Sequence, residues 1–67
     1  MQTLEEVKSG KIIGITNIKL SEEITAFPTE LYQYADTLEV LDLSGNKLSE
    51  LPSEFTLFKK LRILFLS

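Results

Sequence analysis

The 67-residue chain contains no cysteine and no histidine. Without thiols no disulfide can staple so small a scaffold, and thiol usage marks no redox compartment. The two absences also remove the commonest zinc and transition-metal ligands, the usual general base and the thiolate nucleophile. Long apolar runs are missing as well: no segment reaches the ~18 uninterrupted apolar residues of a membrane span. Met1 is followed by Glu5 and Glu6 rather than by a basic and then apolar leader, so the default expectation is a cytoplasmic protein without an export signal. Ten acidic residues stand against seven basic ones, net −3. That balance lacks the clustered Lys and Arg that track phosphates, so neither nucleic acid nor membrane is an expected partner.

What is present is an apolar content of 43%, which suits a folded chain with a thin core rather than a disordered one. Its leucines follow an unusual frame. In Leu38-Glu39-Val40-Leu41-Asp42-Leu43-Ser44-Gly45-Asn46-Lys47-Leu48-Ser49-Glu50-Leu51-Pro52 they fall three, two, five and three apart, which fits neither a helix nor a plain strand. Shifting by 23 residues restarts the frame at Leu61, Leu64, Leu66 and Ser67, and the same shift backwards finds Ile15, Ile18, Leu20 and Ser21. The upstream copy then slips by one residue, with Phe27-Pro28 standing for Leu51-Pro52. One shortened repeat at 15–37, one regular repeat at 38–60 and a partial one at 61–67 follow, and a fixed period of this size marks stacked units.

Within each unit, Ile18 to Leu20, Leu41 to Leu43 and Leu64 to Leu66 alternate apolar and non-core residues, the period of a short half-buried strand. Strands repeated in one direction require a parallel sheet with crossover returns. Pro28 and Pro52 suit the first turn of a helix or 3₁₀ segment, expected over Thr29 to Ala35 and Ser53 to Lys59 with Leu31 and Tyr34, or Phe55 and Phe58, facing inward. Residues 1–14 read as an N-terminal cap: Thr3 and Glu6 form a capping-box pattern, Gly10 ends the helix, and Lys11-Ile12-Ile13 leads into the first strand.

The pattern Leu38-x-x-Leu41-x-Leu43-x-x-Asn46-x-Leu48-x-x-Leu51-Pro52-x-x-Phe55 resembles the leucine-rich repeat family, in the bacterial type with Leu-Pro in the second half of the repeat. The string from Ala35 to Asn46 is similar to the N-terminal repeats of bacterial proteins with a kinase-like domain further on. The resemblance implies an α/β solenoid with short parallel strands on a concave face and helical or 3₁₀ segments on the convex side. It also gives Asn46 a structural role, and the chemistry agrees: a carboxamide offers two donors and an acceptor to backbone groups at a turn. The first repeat offers only Glu23 or a neighbour at that place, so no Asn ladder is expected.

Aligned frames place the outward strand positions in columns of Asn17, Val40 and Ile63, then Lys19, Asp42 and Phe65, then Ser21, Ser44 and Ser67. The first two columns are the candidate protein-binding residues, since the resemblance implies partner contacts on this face. A solvated sheet face is the plain alternative, with Lys19 and Asp42 only a cross-strand pair. Ile63 and Phe65 are harder to explain that way, because two large apolar side chains on an outward face favour contact with something. The strand at 61–67 would carry an open edge, so the expectation is an N-terminal fragment of a longer array, since stacked repeats usually need three or more units, the alternative being self-association through this end.

Catalysis is not expected. The acidic groups Glu5 with Glu6, Glu22 with Glu23, and Asp42 with Glu50 and Glu54 read as solvated carboxylates. Gly10-Lys11-Ile12-Ile13-Gly14 has the wrong spacing for a phosphate-binding glycine loop and reads as cap and turn. No catalytic, cofactor-binding or metal residue is assigned. The function expected is a non-catalytic protein-interaction module whose partner the residues do not identify, the alternative being a structural capping or self-associating unit with no foreign ligand.

Overall fold

The computed structural model describes residues 2–10 and 14–66. The lead-in Lys11-Ile12-Ile13 and Ser67 of the third outward column therefore lie outside the described residues. The chain begins with helix α1, Leu4–Ser9, entered through a complete capping box: the Glu6 amide donates to Thr3 Oγ1 at 3.2 Å, and the Thr3 amide donates to Glu6 Oε1 at 3.1 Å. It ends at Gly10, whose φ of 69° is left-handed. A side chain there would be strained by that φ, and its Cβ would meet Gln33 Oε1 at 3.1 Å. Gln33 Nε2 and the Tyr34 hydroxyl both donate to the Val7 carbonyl, at 2.8 and 2.9 Å. Two side chains from the next unit thus satisfy a carbonyl that the short helix leaves open.

Three strands follow, β1 Asn17–Lys19, β2 Val40–Asp42 and β3 Ile63–Phe65, paired in parallel in the order β1-β2-β3. Ile18 lies beside Leu41, and Leu41 beside Leu64. The 23-residue period reappears in the hydrogen bonds. The Thr16 carbonyl accepts from the Glu39 and Val40 amides at 2.7 and 2.9 Å, and the Glu39 carbonyl accepts from the Arg62 and Ile63 amides at 2.9 and 3.2 Å. At the other end Leu20 donates to Asp42 at 3.0 Å, and Leu43 to Phe65 at 2.8 Å. An unchanged shift between neighbouring strands keeps every alternate residue on the same face.

The returns between strands carry 3₁₀ helices at Thr29–Tyr34 and Ser53–Leu57, each opened by an extended proline whose carbonyl accepts from the residue three places on. Both are shorter than the spans expected from the sequence. The first closes where Ala35 donates to Tyr32 at 3.1 Å, and the second where Phe58 donates to Phe55 at 3.2 Å and then leaves helical geometry at ψ 89°. Eclipsed side chains and poorer hydrogen bonds keep such segments short, and the chain must turn at once toward the next strand.

The core fills the space between the sheet and these returns. Val7, Ile18, Leu20, Leu31, Leu38, Leu41 and Leu43 are fully buried, each contributing about 1.5–3 kcal/mol of apolar transfer. Beneath the loops, Phe27 meets Phe55 edge-on at 5.8 Å and Phe58 at 6.1 Å, while Tyr32 stacks on Phe58 at 5.3 Å. Leu31 and Tyr34 are buried as their spacing predicts, whereas Phe58 is buried and Phe55 only partly so. The result is a small α/β arrangement: a three-stranded parallel sheet with short helical segments.

Candidate protein-binding face

The register sets the geometry of the candidate face. Asn17, Val40 and Ile63 stand side by side across the sheet, as do Lys19, Asp42 and Phe65. Between the two rows Ile18, Leu41 and Leu64 point the other way, into the core. All six candidate residues therefore share one face: Asn17, Lys19, Ile63 and Phe65 are exposed, Val40 and Asp42 half-buried. The face is graded in polarity, from Asn17 and Lys19 on β1 to Ile63 and Phe65 on β3. Phe65 remains 50% exposed and Ile63 37%.

Asp42 is the electrostatic centre of this face. Its Oδ1 accepts from the Ser44 amide at 2.9 Å and from the Ser44 hydroxyl, and its Oδ2 lies 3.9 Å from Lys19 Nζ. The Ser44 hydroxyl first and the Ser44 amide second hold the carboxyl below its ordinary value of 3.8, against an opposing effect of burial that is larger than the further lowering by Lys19. A carboxylate held ionised by these partners is a fixed negative charge and a poor proton acceptor. Ser21, the neighbour of Ser44 in the third column, is exposed.

Asn46 lies off this face, in the turn that follows β2. Its Oδ1 accepts from the Glu22 and Ile24 amides at 3.0 and 3.1 Å, and its Nδ2 donates to the Leu20 and Leu43 carbonyls, both at 2.8 Å. One side chain thereby joins the loop after β1 to the loop after β2. The adjoining Gly45 takes a φ of 78°, and a Cβ there would come within 3.2 Å of Ser21 Oγ. Glu23 does not reproduce the Asn46 role: its exposed carboxylate pairs with Lys47 at 3.5 Å while its backbone adopts a positive φ of 56°.

Gln2 was not anticipated from the sequence. Its Nε2 donates to the Asn17 carbonyl at 3.2 Å and its Oε1 accepts from the Lys19 amide at 3.1 Å, so one carboxamide supplies both bonds that a neighbouring strand would make. The only signal available was chemical: an open strand edge needs a donor and an acceptor together, and Gln carries both. The neighbouring contact from the Leu4 amide to Glu22 Oε2 at 2.5 Å likewise ties α1 to the loop after β1.

Two concavities include none of the six candidate residues in their lining. A cavity of about 270 Å³ is lined by Leu48, Ser49, Glu50, Leu51 and Leu66, and another of about 380 Å³ adjoins Phe27, Glu50 and Pro52. Among the described residues no group of three or more acidic, His or Cys side chains could hold a metal ion, and no helix is long and apolar enough to cross a membrane. No family model matches the chain, and no solved structure matches it.

Proposed function

We propose that the chain is a segment of a leucine-rich-repeat-like solenoid, with the sheet as its concave face, and that it acts as a non-catalytic protein-recognition module through Asn17, Lys19, Val40, Asp42, Ile63 and Phe65. The observation that carries this reading is the register: residues 23 apart line up on one solvent-facing surface while their neighbours form the core. A face that runs from a Lys-Asp pair to two exposed apolar side chains offers orientation at one side and burial at the other, as a protein interface does. The partner is a protein surface with its own apolar anchor opposite Phe65 and a polar region opposite Lys19 and Asp42.

The test is affinity capture from the source cells with the intact chain and with Lys19→Ala, Asp42→Ala and Phe65→Ser, each checked for an unchanged melting temperature. A protein bound by the parent chain and lost from the folded variants, yet kept by Lys60→Ala outside the two columns, supports the reading. Equal capture by every folded variant would sink it.

A further inference from the structure

We propose that the outward face of the sheet seats an amphipathic helix laid across the three strands, carrying an acidic, a basic and an apolar side chain in that order from β1 to β3. The inference rests on the recognition reading above and names the partner's chemistry. Each row of the face runs from polar to apolar in the same direction: Lys19, Asp42, Phe65 in one and Asn17, Val40, Ile63 in the other. These side chains point outward because each strand alternates, with Ile18, Leu41 and Leu64 packed into the core below them. A rod crossing the strands therefore meets one gradient, repeated on two rows about 6.6 Å apart.

Charge sets the order of the partner's groups. Asp42 is held in place: its Oδ1 accepts from the amide and the hydroxyl of Ser44, so the carboxylate does not swing away from the face. Among the described residues its Oδ2 meets only Lys19 Nζ, 3.9 Å away and beyond hydrogen-bond distance. The Lys19 side chain is 54% exposed and that of Asp42 21%, and a pair so loose and wet contributes little to stability. Binding exchanges it for two closer pairs, a partner carboxylate on Lys19 and a partner guanidinium on Asp42, the latter also facing the neighbouring Phe65 ring. Glu39 and Arg62, at the entries of β2 and β3, already pair at 3.2 Å and leave the order to Lys19 and Asp42.

Spacing selects a helix. Neighbouring strands lie about 4.8 Å apart, so the row from Lys19 to Phe65 covers about 9.6 Å. Helix positions three and then four residues apart cover about 10.5 Å, whereas three alternate positions of an extended chain cover about 13 Å.

Nuclear magnetic resonance titration of the 67-residue chain with synthetic Ala-rich helical peptides of about 20 residues tests this. One peptide carries Glu, Arg and Leu three and then four residues apart, and a second carries Arg, Glu and Leu at the same places. A third holds Glu, Arg and Leu at alternate positions of an extended host. The first should shift the Val40 and Asp42 amides, leave α1 unmoved, and bind about 10-fold tighter than the second. Exchanging the charges, Lys19→Asp with Asp42→Lys, should reverse that preference. Lys19→Met with Asp42→Asn, which keeps the side-chain shapes, should erase it, and melting confirms that each variant is folded. No binding to the first peptide, equal binding to the first two, or tighter binding to the extended one would overturn the proposal. The recognition reading survives that failure when capture from cells still depends on Phe65, and falls separately when every folded variant captures alike.

Discussion

The side-chain amide of Asn46 donates to the Leu20 carbonyl at 2.8 Å, joining residues separated by 26 positions in sequence. The same carboxamide makes three further bonds to Leu43, Glu22 and Ile24, so it uses both its donors and its acceptor. A buried backbone group left without a partner costs more than a hydrogen bond contributes when made. Asn46→Leu is therefore expected to destabilise the fold by about 1–3 kcal/mol, a large share of what a chain this small possesses. Chemical denaturation measures it, and an unchanged midpoint would mean that water replaces all four bonds without loss.

Gln2 makes a narrower prediction. Gln2→Ala removes the two bonds at the free edge of β1 and should cost about 1 kcal/mol or less, because that edge is exposed and water substitutes readily. The local effect should be larger than the global one: hydrogen exchange at the Lys19 amide should accelerate while exchange at Leu41 stays unchanged. Equal acceleration at both sites would show that Gln2 supports the whole sheet.

Tyr32 gives the opposite sign. Its hydroxyl oxygen is buried and has no hydrogen-bond partner among the described residues, while its ring stacks on Phe58. Burial first, and the nearby Glu54 second, raise the phenol above its ordinary value of 10.0. Tyr32→Phe keeps the stacking and removes the unsatisfied group, so it should be neutral or stabilising by up to ~1 kcal/mol. A raised phenol contributes stability below pH 10.0 that is lost as pH rises through its folded-state value. The parent should accordingly lose stability relative to Tyr32→Phe in that alkaline range, and parallel pH profiles would argue against a buried phenol.

Asp42 responds at acid pH. A carboxyl lowered in the folded state contributes stability above 3.8, which disappears as pH falls through the lowered value. Ser44→Ala removes the largest cause, so the Asp42 midpoint followed by carboxyl carbon NMR should move upward. Lys19→Ala should move it less. The reverse ranking would make the cross-strand pair, rather than Ser44, the group that holds Asp42 ionised.

These cases also show what the sequence reveals and what it hides. The columns were legible because a 23-residue period in leucines and a two-residue strand period jointly determine which side chains share a face. Asn46 was legible because few residue types can satisfy a turn in that way. Thr3 and Glu6 were legible because a capping box is local. Gln2, the Tyr34 bond to Val7 and the Leu4 bond to Glu22 were not, since each depends on where α1 docks against a later segment and no spacing encodes that. The aromatic packing was half legible: the period turned Phe58 inward, but Tyr32, outside the repeating positions, is drawn in by stacking on Phe58 and a tilted contact with Phe27.

The proposed recognition face requires that the outward columns carry little of the fold's stability while the inward side chains carry most of it. Thermal melting of Leu41→Ala beside Lys19→Ala, Val40→Ala and Phe65→Ala tests it most directly. Leu41 is fully buried, and its truncation should cost ~2–5 kcal/mol, enough to abolish or severely lower the transition. The three outward substitutions should shift the midpoint by no more than about 4 °C. If they lower it as far as Leu41→Ala does, the outward columns are part of the core and the proposed recognition face does not exist.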